Sequence, residues 1–143
     1  MDKKNILFFL TPKEEVAFLD EDDSLRQAME KMQYHRYNAI PILTSEGKYY
    51  GTITEGDLLW GMKKHDFSEL REAEKVKVTD IDRRRDNEAV NIRANMEELL
   101  EKASNQNFVP VVDDRNVFIG IVTRRAILLY ITDKLKVKNE TPS

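Results

Sequence analysis

One strand-to-helix junction is written twice in this 143-residue chain, and that duplication restricts its architecture more than any other feature. Gly51, Thr52, Ile53, Thr54, Glu55, Gly56, Asp57 returns 69 positions later as Gly120, Ile121, Val122, Thr123, Arg124, Arg125, Ala126. Pro41 and Pro110, each inside an apolar run, stand at the same separation. Two landmarks at one spacing define a tandem repeat. A chain of this length then forms one compact domain or two half-size units sharing a core.

Each unit reads strand, helix, strand, strand, helix. In the first, residues 16–19 form a short strand, and Ser24 with Gln27 makes a capping box ahead of Leu25, Ala28, Met29 and Met32 at helical spacing. An apolar strand over 37–43, turn residues at 45–48, a hairpin partner over 49–53 and a helix over 57–64 follow. Proline inside a strand removes a ladder hydrogen bond, so the strand with Pro41 is expected at an edge or beside an irregular opening. The second unit repeats the order, with a strand at 89–92, a helix at 95–104, strands at 107–112 and 117–122, and a helix at 124–136. This divides the chain into an N-terminal helix (1–15), a first motif (16–65), a charged linker with a short helix at 67–74 (66–86), a second motif (87–136) and a polar tail (137–143).

Composition narrows the chemistry. A net charge of −3 gives no global field that would attract nucleic acid or an anionic membrane. The absence of cysteine removes disulfides, thiolate nucleophiles and cysteine-based zinc sites together, and a cytoplasmic location is expected. The apolar run 6–10 is too short to span a membrane. His35 and His65 are the only histidines and lack metal-ligand spacing. The acids at 20–23 lack the alternation of a calcium loop and read as a solvated turn. No nucleophile elbow, phosphate-binding Walker loop or zinc-protease motif occurs, so neither catalysis nor a catalytic cofactor is expected.

The repeated junction suits holding a ligand. Free N–H groups and the positive dipole end at a helix N-terminus attract a phosphate or a hydroxyl-rich molecule. Two readings of Thr54 and Asp57 stand side by side. In one, the carboxylate accepts both ribose hydroxyls while the threonine meets a phosphate or sugar oxygen. In the other, Thr54 caps the helix and Asp57 complements its dipole. Arg124 and Arg125 place cations against a helix dipole, an arrangement that an anionic ligand would explain. Arg83, Arg84 and Arg85 read as a solvated linker turn or, alternatively, a phosphate site.

The duplicated proline strand, the hairpin and the G-h-h-T-x-x-D junction resemble a tandem pair of CBS domains over residues 12–134. The resemblance implies an α/β (α+β) fold in which two pseudo-twofold-related β-α-β-β-α units pack through their sheets. Adenosine ligands would lie in two clefts between them. Carried over residue by residue, it implies Thr54 and Asp57 on ribose and phosphate, Tyr37, Asn38, Ala39, Ile40 and Pro41 around the adenine, and Val16, Ala17 and Leu19 as the other wall. Thr123, Arg124 and Arg125 would reach the phosphates of that same ligand. Ala126 replaces the carboxylate in the second copy, which implies one strong site.

The Val16–Ala17 stretch, the Tyr37-x-Ala39-Ile40-Pro41 strand, Phe108, Val109 and the Thr123-Arg124-Arg125 turn are similar to stand-alone CBS-pair proteins of Gram-positive bacteria that bind cyclic di-AMP. The Thr54 and Asp57 clamp instead resembles binders of AMP, ADP or ATP. The implied function is a regulatory adenine-nucleotide sensor that signals to an unidentified partner protein. It would work as a homodimer associated through helices bearing Leu58, Leu59, Ile127, Leu128 and Ile131. The alternative is a structural or protein-interaction module without a ligand.

Overall fold

Ile6 and Phe9 are buried, yet the apolar run that carries them does not build the helix expected over 1–15. The computed structural model describes residues 5–65 and 70–140, so residues 1–4 of that expected helix lie outside the described residues. It shows one 3-10 turn at Ile6–Phe9, a strand β1 (Thr11–Pro12) and a second 3-10 turn at Lys13–Glu15. Two causes are visible. Pro12 fixes its own φ and keeps the residue before it extended. Phe8, Phe9 and Tyr130 pack edge to face at centroid distances of 5.0 to 5.4 Å, anchoring the turn on the distant C-terminal helix.

The first unit follows. A strand β2 (Leu19–Asp20), shorter than the four residues expected, leads to Ser24. The capping box there is formed: Ser24 Oγ accepts the Gln27 N–H at 3.1 Å and Gln27 Oε1 accepts the Ser24 N–H at 2.8 Å. Helix α1 (Leu25–His35) buries Leu25, Ala28 and Met32 along one face. The hairpin of β3 (Ala39–Leu43) and β4 (Tyr49–Thr54) is antiparallel, β2 joins β3 in parallel, and α2 (Glu55–His65) leaves directly from β4.

The charged stretch between the units is less solvated than its composition suggests. After residues 66–69, which lie outside the described residues, α3 (Leu70–Ala73) and the segment behind it bury Ala73, Val78 and Ile81 in the first unit's core. The second unit then repeats the order: β5 (Val90–Asn91), α4 (Met96–Asn105), β6 (Phe108–Val112), β7 (Phe118–Thr123) and α5 (Arg124–Glu140). α5 runs four residues further than the helix expected to 136, and the end of the tail, 141–143, is outside the described residues.

Two sheets result, ordered β2-β3-β4 and β1-β7-β6-β5. They meet through Val16, Leu43 and Phe118, which form a buried cluster between the units. The hairpin tips are also tied: Gly47 O accepts the Phe118 N–H at 2.9 Å and Asn116 O accepts the Tyr49 N–H at 3.3 Å. β1, although first in the chain, is an antiparallel edge of the second unit's sheet, with Pro12 opposite Gly120. A Cβ on Gly120, where φ is +155°, would lie 2.2 Å from Thr11 O. A Cβ on Gly51 would lie 2.7 Å from the Asp86 carboxylate. The repeated glycine therefore marks where the segment leading into one unit crosses the hairpin of the other.

Of the apolar positions expected to serve helix-mediated pairing, Leu58 and Ile127 are core residues at 6% and 5% exposure. Leu59, Leu128 and Ile131 remain exposed, joined by Trp60, Leu129 and Leu135 on the same two helices.

Candidate functional site

β2 pairs with β3 only at Ile42 and Leu43, so residues 39–41 of β3 have β4 on one side and no strand on the other. That is the irregular opening Pro41 requires. Arg36 ends α1 in the left-handed conformation at φ 60° and turns the chain so that Tyr37 and Asn38 enter this opening. His35 stacks on Tyr37 at 5.3 Å between centroids and 18° between planes.

A first cleft of about 250 Å³ occupies the opening. Tyr37, Asn38, Ala39 and Pro41 line it from the first unit's strand, and Val16 and Ala17 form the facing wall. Thr11 and Glu15 extend that wall, while Asn107, Phe108, Ile121 and Thr123 close the cleft from the second unit. Leu19 and Ile40, expected in the wall, are fully buried members of the first unit's core. Ile40, between the lining residues Ala39 and Pro41, points to the opposite face of β3, as the period of a strand demands, and Leu19 lies beyond the wall segment, at the start of β2.

Thr54 and Asp57, expected on the same ligand, line a different, second cleft of about 510 Å³ with Gly56, Trp60, Asp82, Arg83 and Arg84. The pseudo-twofold crosses the partners over. Each strand-to-helix turn faces the lead-in segment of the other unit, so Thr123 borders the Val16–Ala17 wall and Thr54 borders the segment 82–84.

Asp57, only 5% exposed, has both oxygens engaged: Oδ2 accepts the Thr54 N–H at 3.0 Å and Oδ1 accepts the Arg84 N–H at 3.1 Å. Thr54 Oγ1 in turn accepts the Asp57 N–H at 3.0 Å. The pair is a reciprocal helix cap that also pins the linker. In the second unit, Thr123 Oγ1 accepts the Ala126 N–H at 3.0 Å, and no carboxylate returns the bond.

The linker end is fastened to β4 beside the second cleft. Asp86 accepts the Thr52 N–H at 2.9 Å and forms two hydrogen bonds with Arg83, at 2.8 and 3.2 Å. Partial burial pushes the Asp86 pKa up, but the Arg83 guanidinium and the Thr52 N–H together hold it below the usual carboxylate value. Arg83 also lies 4.8 Å above the Tyr50 ring. The triple arginine run is thus divided: Arg83 is paired, Arg84 is tied by its backbone to Asp57, and Arg85 is exposed. Tyr49 donates its phenol hydrogen to Asn87 O at 2.6 Å and lies 2.6 Å from Thr52 Oγ1; burial raises its pKa well above 10.0.

Arg124 and Arg125 follow Thr123 at the start of α5 and are exposed. Arg124 Nε donates to Ala103 O at 3.0 Å, satisfying the C-terminal end of α4 and fixing the guanidinium. Arg125 has no hydrogen-bond partner among the described residues. Neither is part of the cleft wall. Sequence reasoning missed Thr11, Glu15, Asn107 and Ile121 as wall residues. The 69-residue offset held a signal for one of them, because Asn107 is the repeat image of Asn38.

Among the described residues, no cluster of histidine and carboxylate side chains could hold a metal, and no helix is long and apolar enough to cross a membrane. Two β-α-β-β-α halves with a ligand-sized cleft between them define a CBS pair. The CBS domain family model matches residues 8–64 and 78–133, and the chain belongs to that family.

Within it, the chain is 27% identical over 137 residues to cyclic di-AMP receptor B of Bacillus subtilis (strain 168), covering 92% of this chain and 89% of that protein. A crystal structure of CbpB in complex with c-di-AMP superimposes with a TM-score of 0.85 at 25% identity, covering 96% and 91% of the two chains. The Listeria monocytogenes CbpB protein in complex with c-di-AMP gives 0.78 at 25% identity, covering 92% and 98%.

Proposed function

We propose that the chain is a regulatory adenine-nucleotide-binding module that takes cyclic di-AMP in the first cleft and reports its occupancy to a partner protein. The crossed arrangement of the two turns is the observation that carries this reading. The first cleft is bordered by the turn with Ala126, which has no carboxylate for a ribose diol, while Asp57 serves the second cleft and is already engaged. Cyclic di-AMP has its ribose 3′ oxygens esterified and offers no free diol. Mononucleotides do, and lose that contact here. The relatives whose names record cyclic di-AMP align over nearly the whole chain, which favours the same ligand.

In this reading Tyr37 packs on an adenine, the backbone of residues 38–41 lines its edge, and Arg124 and Arg125 neutralise phosphates beyond Thr123. A cleft of 250 Å³ seats one adenosine half and leaves the other toward those arginines. Signalling requires the ligand to favour one of two states, and Arg125, uncommitted in the structure, supplies the differential contact. Two copies pair in the cytoplasm through the exposed Leu59, Trp60, Leu128 and Ile131 surface.

Calorimetry with cyclic di-AMP, AMP, ADP and ATP tests the ligand. Cyclic di-AMP binds at least about tenfold more tightly than any mononucleotide, and Tyr37→Ala weakens it by about tenfold, the worth of one stacked base. No heat with any of the four would leave a structural or interaction module instead. A preference for AMP would overturn the choice of ligand.

A further inference from the structure

Two asparagines, one from each repeat, meet across the first cleft, and only Asn38 belongs to the set the family resemblance implies. Asn107 Nδ2 donates to Asn38 Oδ1 at 3.2 Å, and both residues line the cleft. Their backbones are used alike: Asn38 O accepts the Glu55 N–H at 3.0 Å, and Asn107 O accepts the Arg124 N–H at 3.1 Å. Their side chains are not. Asn107 Oδ1 accepts the Phe108 N–H at 3.0 Å and Asn87 Nδ2 at 3.4 Å.

A backbone N–H can only donate, so Asn107 is held with its oxygen toward Phe108 and its NH2 toward Asn38. The oxygen of Asn38 must then face Asn107. Its own Nδ2 keeps two N–H groups without a partner among the described residues, and its Oδ1 keeps one lone pair. An amide that could otherwise flip is given one polarity by a relay that starts at a main-chain donor.

We propose that this relay makes Asn38 the residue that selects the base, favouring adenine over guanine; the role presupposes nucleotide binding in the first cleft. Adenine carries an amino donor beside a ring acceptor on both its Watson–Crick and its Hoogsteen edge, and a side-chain amide matches that pair with two hydrogen bonds. Guanine presents two acceptors on its Hoogsteen edge. Its Watson–Crick edge sets an acceptor beside an N–H donor, the reverse order. A freely flipping asparagine would turn over to accept guanine. Asn38 cannot do so while Asn107 donates to it.

Asn107→Asp is the discriminating variant. A carboxylate at 107 still accepts the Phe108 N–H and Asn87 Nδ2 but cannot donate, so Asn38 turns its NH2 toward it and shows the opposite polarity to the base. Titration of the intact protein with cyclic di-AMP and cyclic di-GMP reads the ratio of the two affinities. The added negative charge weakens both dianions alike and cancels in that ratio.

The wild-type chain prefers cyclic di-AMP by about 10- to 100-fold, the discrimination of one bidentate base contact. Asn107→Asp narrows that preference by at least about tenfold, and Asn38→Ala removes most of it. Thermal melts confirm that each variant folds, and Asn38→Ala, at an exposed side chain, serves if Asn107→Asp does not. Cyclic di-AMP binding with a ratio unchanged within twofold in both variants overturns the role of the asparagines and leaves the cleft's function standing. Binding of neither ligand by the wild type overturns both.

Discussion

Replacing Asp57 by alanine separates a ligand clamp from a helix cap. Asp57 accepts two main-chain N–H bonds, from Thr54 at 3.0 Å and Arg84 at 3.1 Å, at 5% exposure. Hydrogen bonds to a charged acceptor contribute roughly 1.5 to 3 kcal/mol each, while the cap that Thr54 Oγ1 places on the residue-57 N–H survives the substitution. Arg84 is exposed and water replaces its lost acceptor, whereas Thr54 is half-buried and is not so easily rescued. The sum comes to about 3 kcal/mol of destabilisation. With a urea m-value of about 2 kcal/mol/M for a chain of this size, the midpoint falls by about 1.5 M in a circular-dichroism titration. Asp57→Asn falls nearly as far, because its NH2 group faces one of the two donors. Cyclic di-AMP affinity, measured where both variants are folded, stays within about twofold of wild type, since the first cleft does not include this residue. An unchanged midpoint combined with a tenfold loss of cyclic di-AMP affinity would refute the assignment of Asp57 to capping and linker attachment.

Glu15 lines the first cleft, where its carboxylate would oppose the dianionic ligand proposed above. Glu15→Gln raises cyclic di-AMP affinity by about threefold at low ionic strength, the effect of one like charge in a high-dielectric setting, and the gain fades toward 1 M salt; equal affinities at low salt would sink this reading. Tyr49 sets an alkaline limit. Its folded pKa is raised above 10.0, so its contribution to stability is intact below about pH 10 and is lost as pH climbs toward the folded value. Tyr49→Phe, compared with wild type in denaturant titrations from pH 8 to 11, removes up to about 1.4 kcal/mol per pH unit of that decline, and parallel profiles would contradict the buried phenol.

Local rules carried much of the fold into the sequence. Ser24 and Gln27 announce the start of α1, Asn95 caps α4 through the Glu98 N–H at 2.8 Å, and the hairpins lie within a residue or two of the spans their patterns predict. What escaped is long-range. β1 is two residues long and pairs more than 100 positions away, so no periodicity could reveal it. That Thr54 and Asp57 line a different cleft from Val16 and Ala17 was hidden for a related reason: a repeat offset shows that two turns are equivalent but not which cleft each one faces. Relative placement of two like halves depends on the Val16, Leu43 and Phe118 cluster, whose members are distant in sequence. Seven residues implied by the resemblance, Val16, Ala17, Tyr37, Asn38, Ala39, Pro41 and Thr123, do converge on one cleft. Six of them sit in or just before the proline-bearing strand and on the facing wall of the first unit, and Thr123 joins them from the second unit through the packing of the two halves.

The exchange of lead-in segments has a consequence for how such a chain can be divided. With Leu10, Thr11 and Pro12 lying against Gly120, and Arg83 and Asp86 lying against Gly51, each half carries a piece of its neighbour's outer strand environment. Cutting the connection at 66–69 would yield two fragments that are incomplete apart yet complementary when mixed. The motif is thus duplicated as a text, but the smallest self-sufficient object is the interlocked pair.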